Sequence, residues 1–288
     1  MMIMGKGLWY TRRLGKPQPL CNLRSEWYDW FLQDVDEYEV KQGFIALWSL
    51  GGAGFILKSP KSTIYIDPYC GGALKNEKTT TLRMIPLPFN ASDVKKIDAT
   101  VISHEDPDHL NEDFIFPISK NTDSLFMGPP SVTNLLKSWK IAENRIVSLK
   151  EHQEKKIKDI HIIAFPSNDP IPKTANTYIF EIDNIRIFHA GDSLWSGEFF
   201  KISQKYKIDI ALISLGVNPP GIKYYNTPGE ILQIASDLQT KIVIPMHWDL
   251  WSFAIDNPRL VEYEAKSRNM KMKVVVLRIG QRFTYPTI

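Results

Sequence analysis

The stretch Ser103-His104-Glu105-Asp106-Pro107-Asp108-His109-Leu110 (SHEDPDHL) decides how this chain is read. It follows DATVIS (98–103), an apolar run that reads as a buried strand. Pro107 stops a strand or helix from continuing, so the segment is a turn at a strand end. His104, Asp106, Asp108 and His109 thus fall within six residues. Imidazole and carboxylate both bind divalent metals, and a bent loop can aim several of them at one place. The chain has only 6 His in 288 residues, which makes chance a poor explanation for two of them here.

Two later strands end in the same way. IRIFHA (185–190) runs into Gly191-Asp192, and KIVIPM (241–246) runs into His247-Trp248-Asp249. A lone strand-end Asp is ordinarily a turn residue, and a lone His is ordinarily structural. Three such ends in one chain make a joint signal. His189, three residues before Asp192, is expected to orient a ligand from behind.

The surrounding pattern fixes the class of fold. FIALWSL (44–50), GFILK (54–58) and STIYID (62–67) read as three antiparallel strands with Gly-Gly and Pro-Lys turns. IHIIAF, NTYIFEID and IRIFHA are strands, the last two joined by a hairpin at Asp183-Asn184. IDIALISLG and KIVIPM are strands, and KVVVLRIG (273–280) is read as the final one. Helices are expected over Glu26–Asp36, Ser196–Tyr206, Pro258–Arg268, and from Thr227-Pro228 to about Leu238. The last of these carries a cap, where Glu230 completes a capping box. Residues 71–93 read as irregular. The sum is an α/β (α+β) chain of two sheets face to face with helices outside. Residues 1–42 read as an N-terminal arm with one helix, and 43–288 as a single domain.

Composition excludes several classes. Apolar residues make up 43% and charged residues 23%, so disorder is ruled out. Lys plus Arg is 35 against 32 for Asp plus Glu, a net charge of +3, and no basic stripe is visible; a nucleic-acid partner is not expected. Two cysteines cannot make a disulfide framework. The apolar stretch Phe44–Leu57 is short of the roughly 20 residues that span a bilayer, so no membrane role is expected. No leader is read at the start, and the expected location is cytoplasmic.

On these residues the chain resembles the metallo-β-lactamase-fold hydrolases, and within them the L-ascorbate-6-phosphate lactonase family. The matching stretches are VDEYEVKQGFIALWSLGGAGFILK, IYIDPYCGG, IDATVISHEDPDHL, IFHAGDSLWSGEFF, IDIALISLGVNPPGI, KIVIPMHWDLWSFAIDNP and IGQRFTYP. The resemblance implies a four-layer αββα sandwich with the site along one edge of the sheets. It implies one or two divalent ions, the first held by His104 and Asp106, the second by Asp108, His109 and His247, with Asp192 bridging. Asp106 stands where the commonest pattern has His. The His that usually follows the next strand is also missing, and Asp169 in AFPSNDP is taken as its substitute. Oxygen donors in place of imidazoles favour manganese over zinc.

The implied chemistry is hydrolysis of a small, sugar-acid-like or phosphorylated substrate by metal-activated water, with Asp108 handling the proton. Asn218 and Lys223 are candidate substrate-binding residues, although the resembling loop in the lactonases carries Arg at the place of Pro220. A phosphodiesterase on the same site, or a metal- or ligand-binding protein without catalysis, remain open alternatives. The resemblance leaves room for a homo-oligomer.

Overall fold

The computed structural model describes residues 28–71, 74–75, 80–81, 83–171, 174–251 and 255–286. The helix expected over Glu26–Asp36 is seen as α1 (Tyr28–Glu37); its first two residues, Trp27 and the arm before it lie outside the described residues. Three antiparallel strands follow as expected: β1 (Ile45–Gly51), β2 (Gly54–Lys58) and β3 (Thr63–Ile66). After the short β4 (Leu74–Lys75) and β5 (Thr80–Thr81) hairpin comes β6 (Ala99–Val101). The chain continues through α2 (Glu112–Asn121), β7 (Leu125–Gly128), α3 (Pro130–Ser138), β8 (Ile146–Ser148) and β9 (Glu154–Ile157). The second half holds β10 (Ile160–Pro166), β11 (Asn176–Ile182), β12 (Ile185–His189), α4 (Glu198–Ser203) and β13 (Ile210–Ser214). It ends with α5 (Pro228–Asp237), β14 (Ile242–Met246), α6 (Arg259–Ser267), β15 (Lys273–Val274) and β16 (Arg282–Tyr285).

The strands form two seven-stranded sheets, ordered β16-β1-β2-β3-β6-β7-β8 and β15-β14-β13-β12-β11-β10-β9. Alternate side chains of β1 explain why both faces of the first sheet must be covered. Ile45 and Leu47 join the core between the sheets, while Ala46, Trp48 and Leu50 join a second core against helices. Phe31 and Val35 of α1 and Phe114, Ile115 and Ile118 of α2 fill that second core. Ile231, Leu232, Ile234 and Ala235 of α5 cover the other sheet's outer face. The expected sandwich of helix, two sheets and helix is therefore the observed architecture.

Each sheet is mixed. β3, β6, β7 and β8 run parallel, as do β12, β13, β14 and β15. Parallel strands leave their carboxyl ends at one rim, where the connecting loops gather. The capping box of α5 is present as expected, with Thr227 accepting from the Glu230 backbone. KVVVLRIG is not one strand, which corrects the sequence reading. Only Lys273–Val274 pairs with β14, and Val275 adds one further bond to Val243. The chain then crosses to the first sheet, where RFTY (282–285) pairs with β1 as the true last strand.

Candidate metal centre

The loops after β3, β6, β10, β12 and β14 meet at that rim. His104, Asp106, Asp108 and His109 come from the turn after β6, Asp169 follows β10, Asp192 follows β12, and His247 follows β14. Their donor atoms converge. His247 Nε2 lies 3.2 Å from Asp108 Oδ2 and 3.6 Å from Asp192 Oδ2. His109 Nε2 lies 3.4 Å from the same Asp192 oxygen and 3.9 Å from Asp108 Oδ2. His104 Nε2 lies 3.6 Å from Asp106 Oδ2 and 3.8 Å from Asp169 Oδ2.

These separations can be set against a metal's needs. Donors about 2.1 Å from one tetrahedral ion stand ~3.4 Å apart. Two clusters of donor atoms meet that scale: His104, His109 and Asp192, and Asp108, His109 and His247. Buried polar atoms are ordinarily partnered. Here His104 Nε2, His109 Nε2, Asp169 Oδ2 and Asp192 Oδ1 are buried without hydrogen-bond partners. His247 differs, since its Nε2 faces Asp108 and its Nδ1 has no partner. A donor set of three imidazoles and four carboxylates fits divalent cations.

The groups behind the donors fix their directions. Asp67, which ends β3, is completely buried and lies 2.9 Å from His109 Nδ1. Its two oxygens also accept from the Ser103 backbone at 2.7 Å and the Ser103 hydroxyl at 2.6 Å. That leaves His109 Nε2 as the ring's outward donor. His189 accepts from the Gly191 backbone at Nδ1 (3.1 Å) and lies 2.8 Å from the Ala53 carbonyl at Nε2. It orients the Gly191-Asp192 turn rather than a metal. Gly191 has φ +53°, and a Cβ there would stand 3.0 Å from Ser103 Cβ, so glycine lets the turn approach the His-rich loop without strain. His247 holds φ +70° without being glycine, and its N–H donates to the Gly52 carbonyl at 2.9 Å. Such conformations cost of order 1–3 kcal/mol and gather at functional sites.

Charge is strongly coupled at this rim. Burial pulls the His109 imidazole down, but the carboxylates of Asp192, Asp67 and Asp108 outweigh it and carry its pKa well above the usual value. Burial pushes Asp192 up, yet His247 and His109 hold it well below the usual carboxylate range. Asp108 is held low by the same two imidazoles against its burial. Asp169 goes the other way, pushed up to about 6 chiefly by burial.

Asn218 and Lys223 are placed differently from the rest. The Asn218 amide is engaged with the loop itself, accepting from the backbones of Tyr224 and Tyr225 and donating to the Tyr225 carbonyl. Lys223 Nζ sits 2.5 and 2.6 Å from the two Glu230 oxygens. Neither lines the cleft over the donors. Tyr225 does, with its ring 5.0 Å from the His247 ring.

Sequence reasoning missed Asp67, Ser103 and Tyr225. Asp67 could have been found: it is one more carboxylate ending an apolar strand, in IYIDP. Tyr225 had no such signal.

Two facing sheets carry this His/Asp cluster at their common rim. The profile of the family described as Beta-lactamase superfamily domain matches residues 62–248, and the chain belongs to that family. The chain is a hydrolase of the metallo-β-lactamase superfamily, and more particularly it is similar to proteins named UlaG. The Salmonella typhimurium protein named "Probable L-ascorbate-6-phosphate lactonase UlaG" is 28% identical over 306 aligned positions, covering 91% of this chain and 86% of that one. Two solved structures share the fold. An isothiocyanate hydrolase from Delia radicum gut bacteria superposes with a TM-score of 0.69 at 17% identity, covering 83% of this chain and 98% of its own. Igni18, a metallo hydrolase from Ignicoccus hospitalis, superposes with a TM-score of 0.66 at 19% identity, covering 85% and 100%. Among the described residues no helix is long and apolar enough to cross a membrane.

Proposed function

We propose that this hydrolase opens lactones, using divalent metal held by the rim donors. The observation that carries the reading is the convergence of buried, unpartnered His104, His109, Asp169 and Asp192 atoms, joined to the lactonase relative. In this reading Asp108, His109 and His247 hold one ion, His104, Asp106 and Asp169 hold the other, and Asp192 serves both. Residues 43–288 form the hydrolase domain and 1–42 an arm. The carboxylates of Asp106, Asp108, Asp169 and Asp192 would balance two divalent cations. The share of oxygen donors favours manganese over zinc.

Bound divalent cations lower the pKa of water and polarise a carbonyl. Asp108 orients the attacking water and carries its proton. The water oxygen bonds to the acyl carbon, the ring C–O bond breaks, and the proton passes to the departing alkoxide. The product is a hydroxy acid. Asp67 and His189 take no part in bond making; they hold His109 and the Asp192 turn in place.

The test is a substrate panel on protein loaded with Mn²⁺ or Zn²⁺. Opening of a lactone, faster with Mn²⁺, is expected. Hydrolysis of bis(p-nitrophenyl) phosphate without any lactone opening would favour the phosphodiesterase reading instead. Metal binding with no hydrolysis of either would mean a binding protein.

A further inference from the structure

We infer that the cleft over the metal centre selects an uncharged lactone bearing a short apolar substituent, and discriminates against a phosphorylated one. This rests on the hydrolase reading above and adds the substrate class.

The cleft is a cavity of about 190 Å³. Asp106, Asp108, Asp169 and Asp192 line it on the metal side, and Pro170, Ile171, Val217, Pro219, Tyr225 and Trp251 supply apolar walls. Among the described residues no Lys or Arg lines it. Two divalent ions would offset four carboxylates and leave no surplus positive charge for a phosphate. Two described cations of the surrounding loops are already committed. Lys223 is paired to Glu230. Arg83 is buried, with its three nitrogens donating to the carbonyls of Ile85, Tyr69 and Leu50.

The mouth adds a second observation. Ile171 is 59% exposed and Val217 47% exposed, although both are large and apolar. Apolar groups gathered at a cavity mouth are the mark of a surface meant to be covered. The volume is below the roughly 300–1,000 Å³ of sites for drug-sized ligands, so the substituent is a few carbons long.

The test uses the full chain loaded with Mn²⁺. The substrates are γ-octalactone, a five-membered lactone with a butyl substituent, and 6-phosphogluconolactone. A kcat/KM at least about tenfold higher for γ-octalactone is expected. Ile171→Ser and Val217→Ser should each lower that preference about threefold or more, through KM. Preference for the phosphorylated lactone, or a preference that neither variant moves, would overturn the inference. If neither ring opens, the lactonase reading fails and calorimetry judges the cleft on its own. Binding of 2-butylcyclopentanone at least about threefold tighter than cyclopentanone, with the difference erased by Ile171→Ser, supports the apolar wall. Equal binding of the two ketones overturns it.

Discussion

Around His109 the imidazoles are buried and braced from behind; in the other half His104 and Asp169 are buried too, and Asp106 alone stands at the edge of solvent. His109 and His247 side chains have no exposure, and His109 is held from behind by Asp67. Asp106 is about a third exposed, and burial pushes the Asp169 pKa up to about 6. The difference has a physical meaning. A buried, pre-oriented donor loses little freedom when it binds, whereas an exposed carboxylate must first be ordered. The two halves of the centre should therefore fill in sequence, the His109–His247 half before the His104–Asp106–Asp169 half.

The largest effect expected is at the residue both halves share. Asp192→Ala should cut kcat/KM by at least about a thousandfold, or ~4 kcal/mol, and elemental analysis should find less than one ion per chain. Full metal content in that variant would break the account. Next, Asp67→Asn and Asp169→Asn should separate the halves. Asp67→Asn should weaken the tighter ion by roughly 10–100-fold, because it removes the carboxylate that fixes the His109 ring. Asp169→Asn should leave the tighter ion in place and release the weaker one. Metal titration monitored by calorimetry distinguishes them, and identical isotherms for the two variants would erase the contrast.

A smaller effect comes from packing next to His247. A Cβ on Gly216 would lie 2.7 Å from the Tyr225 ring. Gly216→Ala should cost about 1–3 kcal/mol through overpacking, seen as a lower Tm. The smallest effect lies outside the centre. Burial raises Glu230, but hydrogen bonds from Lys223 and Thr227 outweigh it and set its pKa below 4.5. A depressed carboxylate stabilises the fold above its unfolded pKa, and that contribution disappears as pH falls through the folded value. Thr227→Ala should cost about 0.5–2 kcal/mol near neutral pH and less below pH ~4. A cost that does not shrink in acid would contradict the capping role.

The legible parts of the sequence were those where local and tertiary signals agree. β1 to β3 are short apolar runs between glycine turns, and every position of β1 is buried. The α5 start carries both members of its capping box. His104, Asp106, Asp108, His109, Asp192 and His247 stood out because each follows a strand end, whereas Asp169 was reached only through the family resemblance. Residues 104–159 hid α2 and α3, whose preceding residues, Asn111 and Pro129, make no side-chain cap. KVVVLRIG carries a run of three valines, but the second sheet's edge offers partners for only its first residues, and Gly280, at φ +79°, turns the chain toward the other sheet. Tyr225 reaches the centre only through the Asn218-held loop, a tertiary arrangement that no spacing announces.

The most direct check is a crystal structure of the chain soaked in Mn²⁺, with anomalous scattering to locate the ions. The account predicts a strong peak within bonding distance of Asp108, His109 and His247, and a weaker one beside His104, Asp106 and Asp169. Peaks elsewhere, or equal occupancy that Asp192→Ala leaves unchanged, would contradict it.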